Sequence, residues 1–135
     1  MNRHFRIVAA CLILLHLTVS FVHGLAHKKA AVILTNFGSA YVLIVITLAP
    51  LVAGLLLWTR WRKFGGLLLA ASMFGSFVFG AWYHFLAAGS DNIVEVHGPW
   101  HSTFAWTAVA LAALELTGAM AGALVAAPAK AQMKV

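Results

Sequence analysis

Long apolar runs separated by short polar segments dominate the pattern of this chain, and four such runs can be drawn. They cover about residues 5–22, 39–59, 64–88 and 102–127. Each run reaches the roughly 17–25 residues that a helix needs to cross the hydrocarbon core of a bilayer. The runs lack the alternation of barrel strands, and a backbone in lipid must satisfy its own hydrogen bonds. The pattern therefore predicts four transmembrane α-helices in a single domain covering 1–135.

The composition excludes a water-soluble domain. Hydrophobic residues make up 63% of the 135 residues, and charged residues make up only 9%. A soluble domain carries roughly 25% charged residues, which it needs to cover its surface. We therefore predict an all-α integral membrane protein. Its outline resembles that of many small bacterial inner-membrane proteins, so the bacterial inner membrane is the location we expect.

The positions of lysine and arginine predict how the helices are oriented. Three basic groups fall on one side of an even number of spans: Arg3 with Arg6, Arg60 to Lys63, and Lys130 with Lys134. The positive-inside rule makes that side cytoplasmic. Lys28 and Lys29 lie on the opposite side and are outnumbered. We predict an up-down bundle with both termini inside (N-in, C-in), and we attribute the net charge of +6 to contacts with lipid headgroups.

The first run has an alternative interpretation as a secretory signal peptide. Arg3 and Arg6, an apolar stretch and small residues near Gly24 fit that pattern, and cleavage would leave three spans. The apolar part is longer than the roughly 7–15 residues of a signal-peptide core, and no clear A-x-A site follows it. We therefore keep the four-span prediction.

Histidines recur along one face of the first run. His16, His23 and His27 are separated by seven and four residues, steps that return to nearly the same side of a helix. The predicted topology brings His23 and His27 to the outer face, together with His84 of the third run and His101 of the fourth. Neutral imidazoles bind zinc, copper, iron and nickel. We therefore predict a divalent transition-metal site formed by His23, His27, His84 and His101.

Three further side chains of the outer loop extend this prediction. His97, Glu95 and Asp91 are additional candidate ligands, or hydrogen-bond partners of ligands. No H-E-x-x-H motif is present in the sequence. The metal site is therefore inferred from the predicted arrangement of helices and not from a local motif.

An intramembrane polar pair is expected near the middle of the bilayer. His16 and Glu115 come out at similar depth when a rise of about 1.5 Å per residue is counted along each helix. Ionisable groups at that depth usually face the bundle interior or a water-filled cavity, so we predict that the two side chains meet. Ser72, Ser76 and Gly80 fall at steps of four and make a small face that admits either a close helix or a ligand.

These residues are compatible with four functions. The main hypothesis is an outer-face metal site for Zn, Cu, Fe or Ni, with enzyme activity left undecided. Haem b held by two imidazoles from facing helices is an alternative, and so is a non-catalytic accessory subunit of a membrane complex. Proton-coupled transport through His16 and Glu115 is the fourth. The expected partners are membrane lipids and a homo-oligomer or larger membrane complex, without nucleic acid.

Overall fold

Four long helices make up most of the protein. The computed structural model describes residues 3–128, and no β-strand occurs among them. Helix α1 covers Arg3–Lys29, α2 covers Asn36–Leu56, α3 covers Arg62–Leu86 and α4 covers His101–Ala126. Each helix is long and apolar enough to cross a membrane. The predicted all-α class with four membrane-spanning helices is confirmed, and the chain is a multi-pass membrane protein.

The orientation of these helices relative to the cytoplasm stays a prediction. Two of the basic residues on which the orientation rests, Lys130 and Lys134, lie outside the described residues. The extent of one domain over 1–135 likewise stays a prediction.

Helix α1 continues seven residues beyond the span that hydropathy predicts for it. Two histidines, a glycine and two lysines lower the hydropathy of this segment, yet its backbone remains helical to Lys29. The segment stays helical because one of its faces is buried against the rest of the protein through His23, Ala26 and His27. As a result, His23 and His27 lie one helical turn apart on the same face.

The helix ends define two ends of the molecule. The start of α1 lies beside the α2–α3 turn at 57–61, where the Arg6 guanidinium is 5.1 Å from the centre of the Trp58 ring. We call this the hairpin end. The α1–α2 loop at 30–35 and the α3–α4 loop at 87–100 meet at the opposite end, where Val32 and Val96 are buried in one cluster. We call this the loop end.

Helices α3 and α4 are in close contact at the hairpin end. A Cβ atom on Gly122 would lie 2.5 Å from the backbone nitrogen of Ala70, and one on Gly66 would lie 2.8 Å from the carbonyl oxygen of Gly122. One turn closer to the loop end on α4, the Met73 side chain would be 3.0 Å from a Cβ on Gly118. Small residues allow two membrane helices to approach in this way. The close contact leaves no space between α3 and α4 at this level.

Helices α1 and α2 meet at the hairpin end and separate toward the loop end. Ala9 and Ile13 of α1 are buried together with Ala53 of α2. Nearer the loop end, the α2 segment Val42–Leu48 packs against α3, and Tyr41 stacks on Phe79 with ring centres 4.5 Å apart. The separation of α1 from α2 leaves space inside the protein near the loop end.

Candidate metal centre

Three buried imidazoles converge at the loop end. The Nε2 atom of His23 lies 3.2 Å from Nε2 of His84 and 3.1 Å from Nε2 of His27. One ligand atom from each of the three residues falls within 4.8 Å of the other two. Among the described residues, this is the group of histidine, cysteine or acidic side chains close enough to hold a metal ion. We call it the three-histidine cluster.

The spacing of the nitrogens suits coordination of one ion. Nitrogen ligands lie about 2.0–2.1 Å from zinc, which in a tetrahedral site separates two ligand nitrogens by roughly 3.3 Å. The two Nε2–Nε2 distances in the cluster, 3.1 and 3.2 Å, are close to that value. Small shifts of the rings would therefore admit a metal ion.

Local backbone structure positions the rings. His23 and His27 are one turn apart on α1, whereas His84 lies in a π-helical turn, Trp82–Leu86, at the end of α3. Single π turns inside α-helices are frequent at functional sites, because the extra residue redirects the side chains that follow. Phe104 of α4 is fully buried against the cluster, with ring centres 4.8 to 5.4 Å from those of the three histidines.

A threonine of α4 determines which nitrogen of His23 carries the proton. The Thr107 hydroxyl oxygen is 2.6 Å from the Thr103 carbonyl, which can only accept a hydrogen bond, so the hydroxyl donates to it. The same hydroxyl oxygen is 2.7 Å from Nδ1 of His23 and therefore accepts from it. With the proton on Nδ1, Nε2 of neutral His23 carries a lone pair.

Asp91 determines which ring nitrogen of His84 carries the proton. Nδ1 of His84 lies 3.0 Å from the backbone carbonyl oxygen of Asp91 and 3.1 Å from its carboxylate oxygen Oδ1. Hydrogen-bond geometry is met toward the carbonyl, while Oδ1 is at ion-pair distance without a hydrogen bond. Because both neighbours are acceptors, Nδ1 carries the proton, and Nε2 of neutral His84 also carries a lone pair.

The Asp91 carboxylate supplies negative charge beside the cluster. Its Oδ1 atom also lies 3.3 Å from Nε2 of His27. Burial by itself raises the pKa of this carboxyl group, but the adjacent imidazoles of His84, His27 and His23 lower it more, so the net pKa is below its usual range. Asp91 is therefore ionised at neutral pH and would offset part of the charge of a bound cation.

The remaining candidate ligands lie apart from the cluster. His101 is exposed, and its Nε2 atom is 3.1 Å from the carbonyl oxygen of Ile93. His97 and Glu95 are exposed in the α3–α4 loop. On α4, Phe104 and Thr107 take the positions facing α1, one and two turns beyond His101. The role of Thr107 was not predicted, since nothing in the sequence singles out one threonine of an apolar helix as the partner of a histidine.

The side chains of His16 and Glu115, the predicted intramembrane polar pair, are in contact with each other. Nε2 of His16 lies 3.3 Å from Oε1 of Glu115, and the two side chains are 0% and 4% exposed. The other ring nitrogen of His16, Nδ1, is buried without a hydrogen-bond partner.

A cavity of about 140 Å³ extends from the three-histidine cluster to the Glu115 side chain of this pair. Gly80 of α3 lies between them. A Cβ atom at Gly80 would be 3.8 Å from Cδ2 of His84 and 3.9 Å from Oε2 of Glu115. One small molecule could therefore contact both the cluster and the carboxylate of Glu115.

Neither a protein-family model, nor a curated protein, nor a solved structure matches this chain. The functional argument therefore rests on the fold and the site. Together they define a multi-pass membrane protein with a buried histidine cluster that could hold a metal ion.

Proposed function

We propose that this protein is a metal-binding membrane protein whose three-histidine cluster holds one divalent transition-metal ion through the Nε2 atoms. The observation that carries the proposal is that Nε2 of His23 and Nε2 of His84 face each other, each with a lone pair. Thr107 and Asp91 direct both Nδ1 protons outward, so that two bare nitrogens face each other at 3.2 Å. Such an arrangement is repulsive unless a cation lies between or beside the nitrogens.

A proton is the competing cation. If one ring of the cluster were an imidazolium, its Nε2–H could donate to the neighbouring Nε2 and relieve the repulsion. The metal is favoured because three buried nitrogens converge, whereas a single shared proton needs only two. The hydrogen-bond partners of the distal nitrogens are also those that orient metal-binding histidines in other proteins.

The donor set favours zinc among the four metals considered. Neutral imidazoles with an adjacent carboxylate suit Zn²⁺, which accepts three histidines together with a water or substrate in the fourth position. Asp91 would act on the ligands, holding His84 in its tautomer and adding negative charge. In the predicted orientation, the site would face the outside of a bacterial inner membrane.

Haem b has no support at this site. An iron between two axial imidazoles separates their nitrogens by roughly 4 Å, twice a metal–nitrogen bond. In the cluster, Nε2 of His23 lies only 3.1 and 3.2 Å from the Nε2 atoms of His27 and His84, and three imidazoles converge where axial ligation needs two.

Metal analysis of protein purified in lipid without chelator tests the proposal. We expect about one ion per chain in the wild type and its loss in His84→Ala, which removes one of the three cluster ligands. His101→Ala is the matched control, since His101 is an exposed histidine at the same end and outside the cluster. A metal-free wild type, or a His84→Ala protein that keeps its metal, would overturn the proposal in favour of an accessory role.

A further inference from the structure

The cavity below the three-histidine cluster has a closed floor. At the bottom, His16 and Glu115 fill the centre of the bundle, with side chains 0% and 4% exposed. Beyond them, Met73 packs against Gly118 and the backbones of α3 and α4 touch. A closed floor is unsuited to a conduction path and is the shape expected of a ligand pocket.

The walls of the cavity are apolar and include two helices that have separated. Val42 and Ile46 of α2 line one side, and Ser20 and Gly24 of α1 line the other. Gly24 is exposed, and a Cβ atom there would meet nothing within 4 Å. The cavity therefore opens between α1 and α2, on a side that faces lipid when the protein is in a membrane.

The size and polar atoms of the cavity restrict what it can hold. An apolar protein cavity of about 150 Å³ holds a molecule of the size of benzene, and this cavity measures about 140 Å³. Its polar groups lie toward the cluster and the Glu115 carboxylate, which are separated by the Gly80 gap. Ser20 contributes a buried hydroxyl oxygen that has no hydrogen-bond partner.

We propose that this cavity binds a neutral, hydroxyl-bearing molecule of about the size of phenol, which enters from the membrane between α1 and α2. Its oxygen would bind the metal ion, its hydroxyl proton would point to Oε2 of Glu115, and its apolar body would lie against α2. The inference rests on the proposed metal function. A carboxylate ligand is disfavoured because it would bring a second acidic group to Glu115 without a hydrogen to share.

Binding of three molecules of similar size to cobalt-loaded protein in lipid nanodiscs tests this assignment. Phenol carries the hydroxyl, toluene lacks it and benzoate is an anion. We expect saturable phenol binding that changes the visible absorption of the bound cobalt, and about tenfold weaker binding of toluene and benzoate. Metal-free protein gives the background binding due to lipid.

Two variants that enlarge a small residue test the position of the ligand. Gly80→Ala adds a methyl group at ordinary contact distance from His84 and Glu115, so the helix accommodates it while the gap between them is filled. We expect about tenfold weaker phenol binding with unchanged cobalt content. Ala113→Val is the control, because it also enlarges a small helical residue but does so on an exposed position of α4 outside the cavity, and it should bind phenol as the wild type does.

Glu115→Gln tests the acceptor, and the outcomes separate the two proposals. Replacing the carboxyl group with an amide, whose nitrogen can donate a hydrogen bond, should weaken phenol binding and strengthen benzoate binding. Three outcomes with cobalt-loaded protein would overturn this inference alone: no binding of phenol, tighter binding of benzoate than of phenol, or unchanged phenol binding after Gly80→Ala. Protein that takes up no cobalt would instead overturn the proposed metal site.

Discussion

At the scale of single residues, each histidine of the cluster has two ring nitrogens, and the neighbour of one nitrogen determines what the other can bind. Nδ1 of His23 meets a hydroxyl that is already committed as a donor, and Nδ1 of His84 meets two acceptors of Asp91. Both rings therefore present bare Nε2 atoms to the same space. Residues outside the ligand set should for this reason affect metal affinity.

Thr107→Val removes the acceptor of the His23 proton without changing the side-chain volume much. We expect metal affinity to fall about 10–100-fold, the usual cost of losing a partner of a metal-binding histidine. Titration against a chelator of known affinity measures this change. Thr117→Val is the control, because Thr117 makes the same hydrogen bond to the carbonyl four residues earlier but is exposed on α4. Equal affinities for the two variants would contradict the assigned tautomer.

Asp91→Asn keeps the shape of the side chain and removes its charge. The variant should bind metal about 10–100-fold more weakly, since the carboxylate beside His84 and His27 no longer offsets the charge of the cation. Glu95→Gln removes an exposed carboxylate from the same loop and should leave affinity unchanged. The same chelator titration measures the metal affinity of both variants. An equal loss of affinity in the two variants would indicate a general effect of loop charge and not a specific role of Asp91.

Metal occupancy should fall as the pH is lowered from about 7.5 to 5, because protons compete for ligand nitrogens and histidine has an ordinary pKa of about 6.5. Asp91 has a pKa below its usual range, so its charge persists through this window and is lost only at lower pH. A loss of bound metal near pH 6 would therefore be due to protonation of the imidazole ligands. Occupancy that stays constant from pH 7.5 to 5 would contradict ligation by histidine.

At the scale of the secondary-structure elements, one end of α3 packs against α4 and the other end positions a candidate metal ligand. Near the hairpin end, Gly66 of α3 and Gly122 of α4 allow the two backbones to come into contact. Near the loop end, the π turn Trp82–Leu86 aims His84 at α1. Close packing at one end thus holds the helix that carries the ligand at the other.

Gly122→Ala should destabilise the protein by about 2 kcal/mol or more, because the new methyl group would lie 2.5 Å from the backbone of Ala70 and backbone cannot move aside as a side chain can. Thermal unfolding in detergent, followed by circular dichroism, measures the effect. Gly24→Ala, which meets no neighbours, should be neutral or stabilising. A Gly122→Ala protein as stable as the wild type would show that the α3–α4 contact is looser than described.

At the scale of the whole molecule, charge should orient the bundle. Arg60, Arg62 and Lys63 lie at the hairpin end, whereas Asp91 and Glu95 lie at the loop end. The positive-inside rule predicts that the hairpin end is cytoplasmic and the loop end external. The three-histidine cluster would then exchange its metal with the outside of the cell.

Cysteine labelling in a Cys11→Ser background tests that orientation. Ser90 is exposed in the α3–α4 loop and Thr59 is exposed in the α2–α3 turn. An impermeant thiol reagent should label Ser90→Cys in intact cells and label Thr59→Cys only after the membrane is opened. The reverse pattern would invert the topology and place the metal site on the cytoplasmic side.

The sequence by itself determined the class of protein and the number of spans, and it predicted which polar groups lie at the same level along the helices. Membrane thickness and helical rise are fixed lengths, so counting residues was enough to bring His16 level with Glu115 and His23 level with His84. Hydropathy was less informative at the end of α1. There, burial of one face against other helices keeps a polar segment helical, and hydropathy does not record that contact.

Only the tertiary structure decided which of the residues at one depth meet. Depth leaves the rotation of each helix about its axis open, and side chains one residue apart point about 100° apart on a helix with 3.6 residues per turn. The π turn of α3 and the face of α4 that bears Phe104 and Thr107 fix these rotations, bringing His84 into the cluster and leaving His101 outside. The proton positions depend on those same contacts, because a ring nitrogen takes its role from the atom that packing places opposite it.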